Sequence, residues 1–126
     1  MEKKGLIITL KSLTPNENKA VQIFTERVLR ALGEHVLSIK LFGSKVHGTD
    51  TPESDIDVAI IIDSENLDYE ENVLDIAFDI NLEYDLYISP KVIPQAVFLH
   101  PVWQHTLFIK NIEKEGVALW RVDSKH

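Results

Sequence analysis

One stretch, residues 41–62, constrains the fold of this 126-residue chain more than any other. An apolar segment ends in Gly43-Ser44, a polar loop of ten residues follows, and the pair Asp55 and Asp57 then opens a run of apolar residues, 58–62. Because side chains alternate between the two faces of a strand, both aspartates are predicted to project from one face. The apolar run predicts a buried strand that holds the two carboxylates at its edge, where they suit a divalent metal ion.

Length and composition limit the class of protein. A chain of 126 residues is expected to form one domain, residues 1–126, with a core of its own. The absence of cysteine excludes disulfides and cysteine-ligated zinc. The apolar runs are far shorter than a membrane span and no cleavage-like site follows the N-terminus, so we expect a cytoplasmic protein that does not contact the membrane.

The charge distribution limits the classes of binding partner that are expected. A net charge of −7 argues against stand-alone nucleic-acid binding, because phosphate backbones are held by clustered Lys and Arg. Between Thr49 and Pro90 there is no Lys or Arg, whereas Asp and Glu recur throughout. Such a region attracts cations or a basic protein surface, and it repels a nucleoside triphosphate unless metal ions intervene.

The first half of the chain predicts a helix followed by a strand. The sequence Thr14-Pro15-Asn16-Glu17 is a capping box with proline at the first helical position, and Gly33 supplies the stop. Residues 36–42 then form a short apolar strand.

The loop after that strand carries candidate anion contacts. Gly43 allows close approach of the backbone to a ligand, and Ser44 adds a hydroxyl, so a phosphate fits there, although the two residues taken alone are better explained as an ordinary strand-loop junction. Lys45 and His47 either meet the same anion or are simply solvated.

The second half predicts two more helices and a third strand. Asn66 to about Phe78 is predicted as a helix, and residues 80–88 alternate as a strand that carries Asp85 on its polar face. If this strand lies beside that of Asp55 and Asp57, Glu83 or Asp85 can bring a third carboxylate to the same site, and Asp85 is the first choice. Residues 91–99 are unassigned, residues 102–115 are predicted as a helix and residues 117–120 as an extended segment. The predicted inward-facing residues of the two helices are Leu67, Val73, Leu74 and Ala77, then Trp103, Leu107 and Ile112.

Three carboxylates facing a Gly-Ser loop match the needs of metal-assisted nucleotidyl transfer. Two Mg²⁺ ions about 3.5–4 Å apart can share carboxylates, one activating an acceptor hydroxyl and the other neutralising the triphosphate and its leaving pyrophosphate. Hard oxygen ligands favour Mg²⁺, or Mn²⁺, over zinc.

The ordered motif resembles that of the DNA polymerase β-like nucleotidyltransferases, and within them the minimal nucleotidyltransferases. Gly43-Ser44, the ten-residue loop with Gly48, and Asp55-Ile56-Asp57 match the family signature, and residues 111–119 look like its closing helix. The resemblance implies an α/β (α+β) fold with a small mixed sheet flanked by helices. It implies Asp55 and Asp57 as shared metal ligands and catalytic residues, with Asp85 as the third.

The same resemblance extends to the nucleotide. It implies that Gly43 and Ser44 contact the triphosphate of ATP. Lys45 is a further candidate as a cation in the same loop, although this sequence departs from the family pattern there, with Lys45 and His47 where many relatives carry Arg.

The length of the chain limits which acceptor substrates are expected. Larger relatives use extra domains to hold their acceptor, and this chain has no room for one. Minimal members resemble antitoxins that act with a separate all-helical HEPN toxin, which implies transfer of AMP from ATP to a tyrosine of that partner. An acidic antitoxin facing a basic partner is electrostatically sensible.

Two alternatives remain from the sequence. The chain could be a binding module that inhibits its partner by occlusion without turnover, in which case Asp57→Asn would leave inhibition intact. It could also be a small-molecule nucleotidyltransferase built as a homodimer, which would transfer AMP to a low-molecular-weight hydroxyl compound without a partner.

Overall fold

A four-stranded mixed sheet organises the chain in the computed structural model, which describes residues 13–43, 55–64 and 66–121. The strand order is β3-β2-β1-β4, with β2 and β3 parallel and the other neighbours antiparallel. In chain order the elements are α1 (Pro15–Leu32), a 3₁₀ turn (Gly33–His35), β1 (Val36–Phe42), β2 (Ile56–Ile62), α2 (Leu67–Tyr84), β3 (Ile88–Pro94), α3 (Gln95–Leu99), α4 (Pro101–Gln104), α5 (Leu107–Glu115) and β4 (Val117–Arg121). The predicted α/β class and mixed sheet are confirmed.

Helix α1 begins at the predicted capping box. Thr14 Oγ1 accepts a hydrogen bond from the Glu17 N–H at 3.0 Å, and Glu17 Oε1 accepts one from the Thr14 N–H at 2.9 Å. These reciprocal bonds satisfy backbone donors that a helix N-terminus otherwise leaves unpaired. The helix ends before Gly33, whose φ of +59° takes the backbone out of the helical conformation.

The two faces of the sheet are covered by different helices. Helices α1 and α2 pack on one face around the main core, in which Phe24, Ile60 and Ile80 are fully buried. Burying a side chain of this size stabilises the fold by about 1.5–3 kcal/mol. The opposite face holds a smaller cluster of Ala59, Ile61, Ile93, Phe98, Ile109 and Ile112, contributed by the sheet, α3 and α5. Even-numbered residues 56–62 of β2 therefore point to the main core, and the odd-numbered ones to the smaller cluster.

The second helix and the third strand differ from the sequence prediction. Helix α2 continues to Tyr84 instead of stopping near Phe78, and β3 is Ile88–Pro94 instead of residues 80–88. Val73, Ala77 and Ile80 are buried along one helical stripe, so the apolar spacing in this region serves a helix. Leu74, predicted to face inward, is 48% exposed.

The C-terminal segment also differs in one respect. The single helix predicted for residues 102–115 is divided into α4 and α5, because Thr106 forms a new N-cap by accepting a hydrogen bond from the Ile109 N–H at 3.3 Å. Ile112 is buried as predicted, whereas Trp103 and Leu107 are exposed. The extended segment after Gly116 is confirmed as β4. None of the helices in the described ranges is long and apolar enough to cross a membrane.

Candidate active site

The two aspartates of the motif lie at the start of β2. Asp55 immediately precedes the strand and is exposed, whereas Asp57 is its second residue and is half-buried. In the sheet register Asp57 lies opposite Phe42, the last residue of β1, so Gly43 follows directly beside it. The antiparallel pairing of β1 and β2 therefore brings the two ends of the sequence motif together.

Gly43 and Asp57 are in close contact. Gly43 has φ +84°, a conformation that residues with a side chain rarely adopt, and a Cβ atom at this position would overlap with Asp57 Oδ2 and lie 3.3 Å from its Cγ. Only glycine fits against the carboxylate here. The close approach predicted from the sequence was to a phosphate, whereas the neighbour found here is the Asp57 side chain, so the role of Gly43 in nucleotide binding stays a prediction.

The environment of Asp57 disfavours its charge. Burial raises the pKa of Asp57 above its ordinary value, the ammonium group of Lys91 opposes this by lowering it, and the carboxylate of Asp55 adds to the increase. A cation placed between the two aspartates would stabilise both carboxylates.

Two residues of β3 next to this pair were missed by the sequence interpretation. Ser89 lies beside Asp57 in the parallel register, and Lys91 lies one step further, beside Ala59. Lys91 Nζ donates a hydrogen bond to Ser89 Oγ at 3.0 Å. The signal in the sequence was that Lys91 is the first Lys or Arg after residue 45, a feature that gains meaning only once β3 is paired with β2.

Asp85 is not on a strand, so the reasoning that placed it beside Asp57 is wrong. It caps the C-terminus of α2 with φ +55°, a left-handed conformation that Asp tolerates better than most residues, and its side chain is exposed. Within residues 13–43, 55–64 and 66–121, no group of three or more His, Asp or Glu side chains could hold a metal ion. The role of Asp85 as a third ligand stays a prediction.

The predicted loop contacts Ser44 and Lys45, together with His47, lie outside the described residues. Their assignment as nucleotide-binding residues also stays a prediction.

The donor set that is described fits magnesium. Mg²⁺ in nucleotide sites is commonly held by one or two carboxylates together with substrate phosphates, and it keeps several waters. Asp55 and Asp57 provide two hard oxygen donors from adjacent positions on one strand face, and the raised pKa of Asp57 marks a carboxylate that a cation would stabilise. Asp55 and Asp57 would hold the ion, and the absence of a side chain at Gly43 lets its backbone lie against the Asp57 carboxylate.

Solved structures share this fold. A chain of a toxin-antitoxin crystal structure with AMP-PNP superimposes with a TM-score of 0.56 at 20% identity, covering 81% of this chain and 74% of that chain. A chain from Shewanella oneidensis gives a TM-score of 0.51 at 14% identity, covering 84% of this chain and 74% of that chain. At these identities the similarity is one of fold.

Two curated relatives from Methanocaldococcus jannaschii are similar in sequence. "Putative protein adenylyltransferase MJ0604" is 32% identical over 106 residues, which span 83% of this chain and 99% of the relative. "Putative protein adenylyltransferase MJ0141" is 29% identical over 100 residues, which span 79% and 94%.

A family model supplies the last comparison. The model described as "Polymerase beta, Nucleotidyltransferase" matches residues 26–125, a range that includes β1, β2 and both aspartates. The chain therefore belongs to the polymerase beta nucleotidyltransferase family, as the Gly-Ser and Asp-x-Asp motif implied, and it is a nucleotidyltransferase of the minimal kind.

Proposed function

We propose that the protein transfers AMP from ATP, in a Mg²⁺-dependent reaction, to a tyrosine hydroxyl of an all-helical HEPN-type toxin, for which it is the antitoxin. The observation that carries the proposal is the contact between Gly43 and the Asp57 carboxylate at the start of β2, with Asp55 two residues earlier. Two carboxylates at the start of an inner strand, next to a backbone position without a side chain, are the arrangement expected at a site for a metal-bound triphosphate.

The reaction assigns a limited set of roles to the chain. In nucleotidyl transfer the acceptor oxygen forms a bond to the α-phosphorus, the bond to the β-phosphate oxygen breaks, pyrophosphate leaves and the hydroxyl gives up its proton. Bound Mg²⁺ would supply charge neutralisation and favour the deprotonated acceptor. Asp55 and Asp57 would hold the ion, and Asp85, Ser44 and Lys45 are proposed as a further ligand and two phosphate contacts.

The protein acceptor is supported by the relatives and by the surface. The two relatives from Methanocaldococcus jannaschii carry the name of protein adenylyltransferases, and one of the structures with a similar fold is a crystal structure of a toxin-antitoxin pair with AMP-PNP. Helix α2 exposes three large apolar side chains at a spacing of four residues, Leu74 at 48%, Phe78 at 62% and Leu82 at 70%. Exposed apolar residues aligned on one helix face are typical of a protein-binding surface.

Charge on the same helix favours a basic partner. The exposed residues that alternate with this apolar stripe include Glu71, Asp75, Asp79 and Glu83. An acidic row along one side of an apolar stripe complements a partner surface that carries Lys and Arg beside its apolar residues, and such complementarity speeds association.

Nucleotide binding is the first test. Calorimetric titration of AMP-PNP into the protein, with and without Mg²⁺, should show binding that depends on the ion. The Asp55→Asn/Asp57→Asn variant should lose the Mg²⁺-dependent part while remaining folded. A folded wild-type protein that does not bind the analogue under either condition would contradict the proposal.

The acceptor is tested by transfer of label. Incubation with α-³²P-labelled ATP, Mg²⁺ and the HEPN-type toxin should label the toxin, and a toxin with its acceptor Tyr replaced by Phe should stay unlabelled. If Asp57→Asn abolished labelling but still neutralised the toxin, inhibition would occur by occlusion. Labelling of a small hydroxyl compound in the absence of any toxin would favour the homodimeric small-molecule enzyme.

A further inference from the structure

Lys91 on β3 has no role in the site as predicted from sequence. We propose that Lys91 is a nucleotide-binding residue that contacts the triphosphate, an inference that rests on the nucleotide site proposed above.

The strand register places Lys91 on the same face as Asp57. In the parallel pair, Asp57 lies beside Ser89, and Ala59 lies beside Lys91. Because neighbouring residues in register project from the same face of a sheet, Lys91 leaves β3 on the face from which Asp57 leaves β2, one step further along the strands.

The lysine side chain turns back towards the aspartate. Its Nζ donates to Ser89 Oγ at 3.0 Å, and Ser89 is the immediate strand neighbour of Asp57. The positive charge is close enough to Asp57 to act on the carboxylate electrostatically. An ammonium group carries three N–H donors, so the bond to Ser89 leaves two for phosphate oxygens, and the Lys91 side chain is exposed.

The charge balance of the site calls for a cation at this place. ATP and two carboxylates bring together more negative charge than even two divalent ions neutralise, and the sequence contains no Lys or Arg from residue 46 to residue 90. On the other side of Ala59, Lys40 of β1 is half-buried, with its Nζ 5.8 Å from the centre of the Phe98 ring. Of the two lysines that flank Ala59, Lys91 is the exposed one.

A competing role is that of a counterion to Asp57. In that case Lys91 would act through the metal ion, and its effect on AMP-PNP binding would disappear once Mg²⁺ is saturating, whereas a triphosphate contact contributes at any Mg²⁺ concentration and contributes more to AMP-PNP than to AMP. Comparing AMP-PNP with AMP at saturating Mg²⁺ separates the two roles.

The experiment measures the Kd of AMP-PNP and of AMP, each with Mg²⁺, for the wild type, Lys91→Gln, Lys91→Arg and Lys19→Gln. Lys19 is an exposed lysine of α1 and controls for the loss of one positive charge. We expect Lys91→Gln to weaken AMP-PNP binding about tenfold, which is typical of an exposed charge-assisted contact, and to change AMP binding little. Lys91→Arg should retain most of the affinity, and Lys19→Gln should bind like the wild type.

The contrary results are distinct. Unchanged AMP-PNP affinity in Lys91→Gln would overturn the inference while leaving the nucleotide site intact. An equal loss for AMP and AMP-PNP would also overturn it, and a loss of AMP-PNP affinity that saturating Mg²⁺ restores would overturn it in favour of the counterion role. A wild-type protein that binds no AMP-PNP would refute both the proposed function and the contact at Lys91.

Discussion

The Cα of Gly43 lies against the carboxylate of Asp57, so closely that a side chain at residue 43 would overlap with Asp57 Oδ2. This contact joins the two parts of the sequence motif and requires both the positive φ of residue 43 and the absence of its Cβ.

Gly43→Ala should therefore damage the site more than the fold. The left-handed φ of +84° costs an alanine about 1–2 kcal/mol, and the new Cβ must also displace the Asp57 side chain. We expect a modest fall in melting temperature and the loss of Mg²⁺-dependent AMP-PNP binding, measured by thermal unfolding and calorimetry.

Gly33→Ala is the matched control for this experiment. Gly33 also has a positive φ, +59°, but a Cβ there meets nothing within 4 Å. It should lose stability to a similar degree and keep full nucleotide binding. Equal nucleotide affinity in Gly43→Ala and Gly33→Ala would show that the contact with Asp57 has no part in binding.

Asp57→Asn should be at least as stable as the wild type without metal. Because burial raises the folded-state pKa of Asp57, the folded protein binds more protons than the unfolded one between about pH 3.9 and the folded pKa. Wild-type stability therefore falls as pH rises through this window, and the neutral amide removes that cost.

Denaturant unfolding in EDTA at pH 3.5 and pH 7 tests whether the free energy of unfolding changes with pH in this direction. The stability of Asp57→Asn relative to the wild type should increase with pH, and added Mg²⁺ should stabilise the wild type alone. Asp75→Asn, on an exposed position of α2, controls for the loss of one negative charge. A wild type that is more stable than Asp57→Asn in EDTA at neutral pH would contradict the assignment.

The first half of the fold was predictable because local signals and tertiary packing agree there. Three signals correspond to the structure found. The Thr14 capping box begins α1, Gly33 ends it, and the apolar run after Asp57 forms β2. The contact between Gly43 and Asp57 was not predicted, because the sequence indicated a close approach of the Gly43 backbone to a ligand and does not show which side chain of the protein lies against it.

The region around Asp85 was misjudged for a physical reason. Ile80, Leu82, Tyr84 and Leu86 alternate like a strand, but Ile80 also continues the helical stripe of Val73 and Ala77. Only the 70% exposure of Leu82 distinguishes the helix from a strand, and exposure is a tertiary property that the sequence does not display. The error hid β3, and with it the placement of Ser89 and Lys91 beside β2.

Phe78→Glu should weaken binding of the toxin partner. Phe78 is the central residue of the exposed apolar stripe on α2, and a carboxylate there would be desolvated in an apolar interface. We expect at least a tenfold increase in Kd for the HEPN-type toxin, because burying an unpaired charge costs more than about 1.4 kcal/mol. The melting temperature should be unchanged, because the side chain is exposed in the free protein.

Leu107→Glu is the counterpart on the other side of the sheet. Leu107 is 76% exposed at the start of α5, so the same substitution there also leaves the core untouched. Loss of toxin binding in Leu107→Glu, with Phe78→Glu unaffected, would place the partner on the α3–α5 face instead of α2.

Asn81→Ala should loosen the start of β3 and, through it, the site. The Asn81 side chain accepts a hydrogen bond from the Ile88 N–H at 2.7 Å and donates one to the Ile88 carbonyl at 3.2 Å, which fixes the end of α2 to the residue paired with Ile56. Leaving these backbone groups without a partner costs about 1–3 kcal/mol, and the melting temperature should fall by roughly 4–12 °C.

Asn72→Ala, an exposed position of the same helix, should be neutral or slightly stabilising because alanine has the higher helix propensity. Since Ser89 and Lys91 lie one and three residues after Ile88 on the same strand, Asn81→Ala should also weaken AMP-PNP binding at temperatures where the protein remains folded. A variant with lower stability but wild-type affinity would show that the strand register beside Asp57 is held by the β2 ladder without help from Asn81.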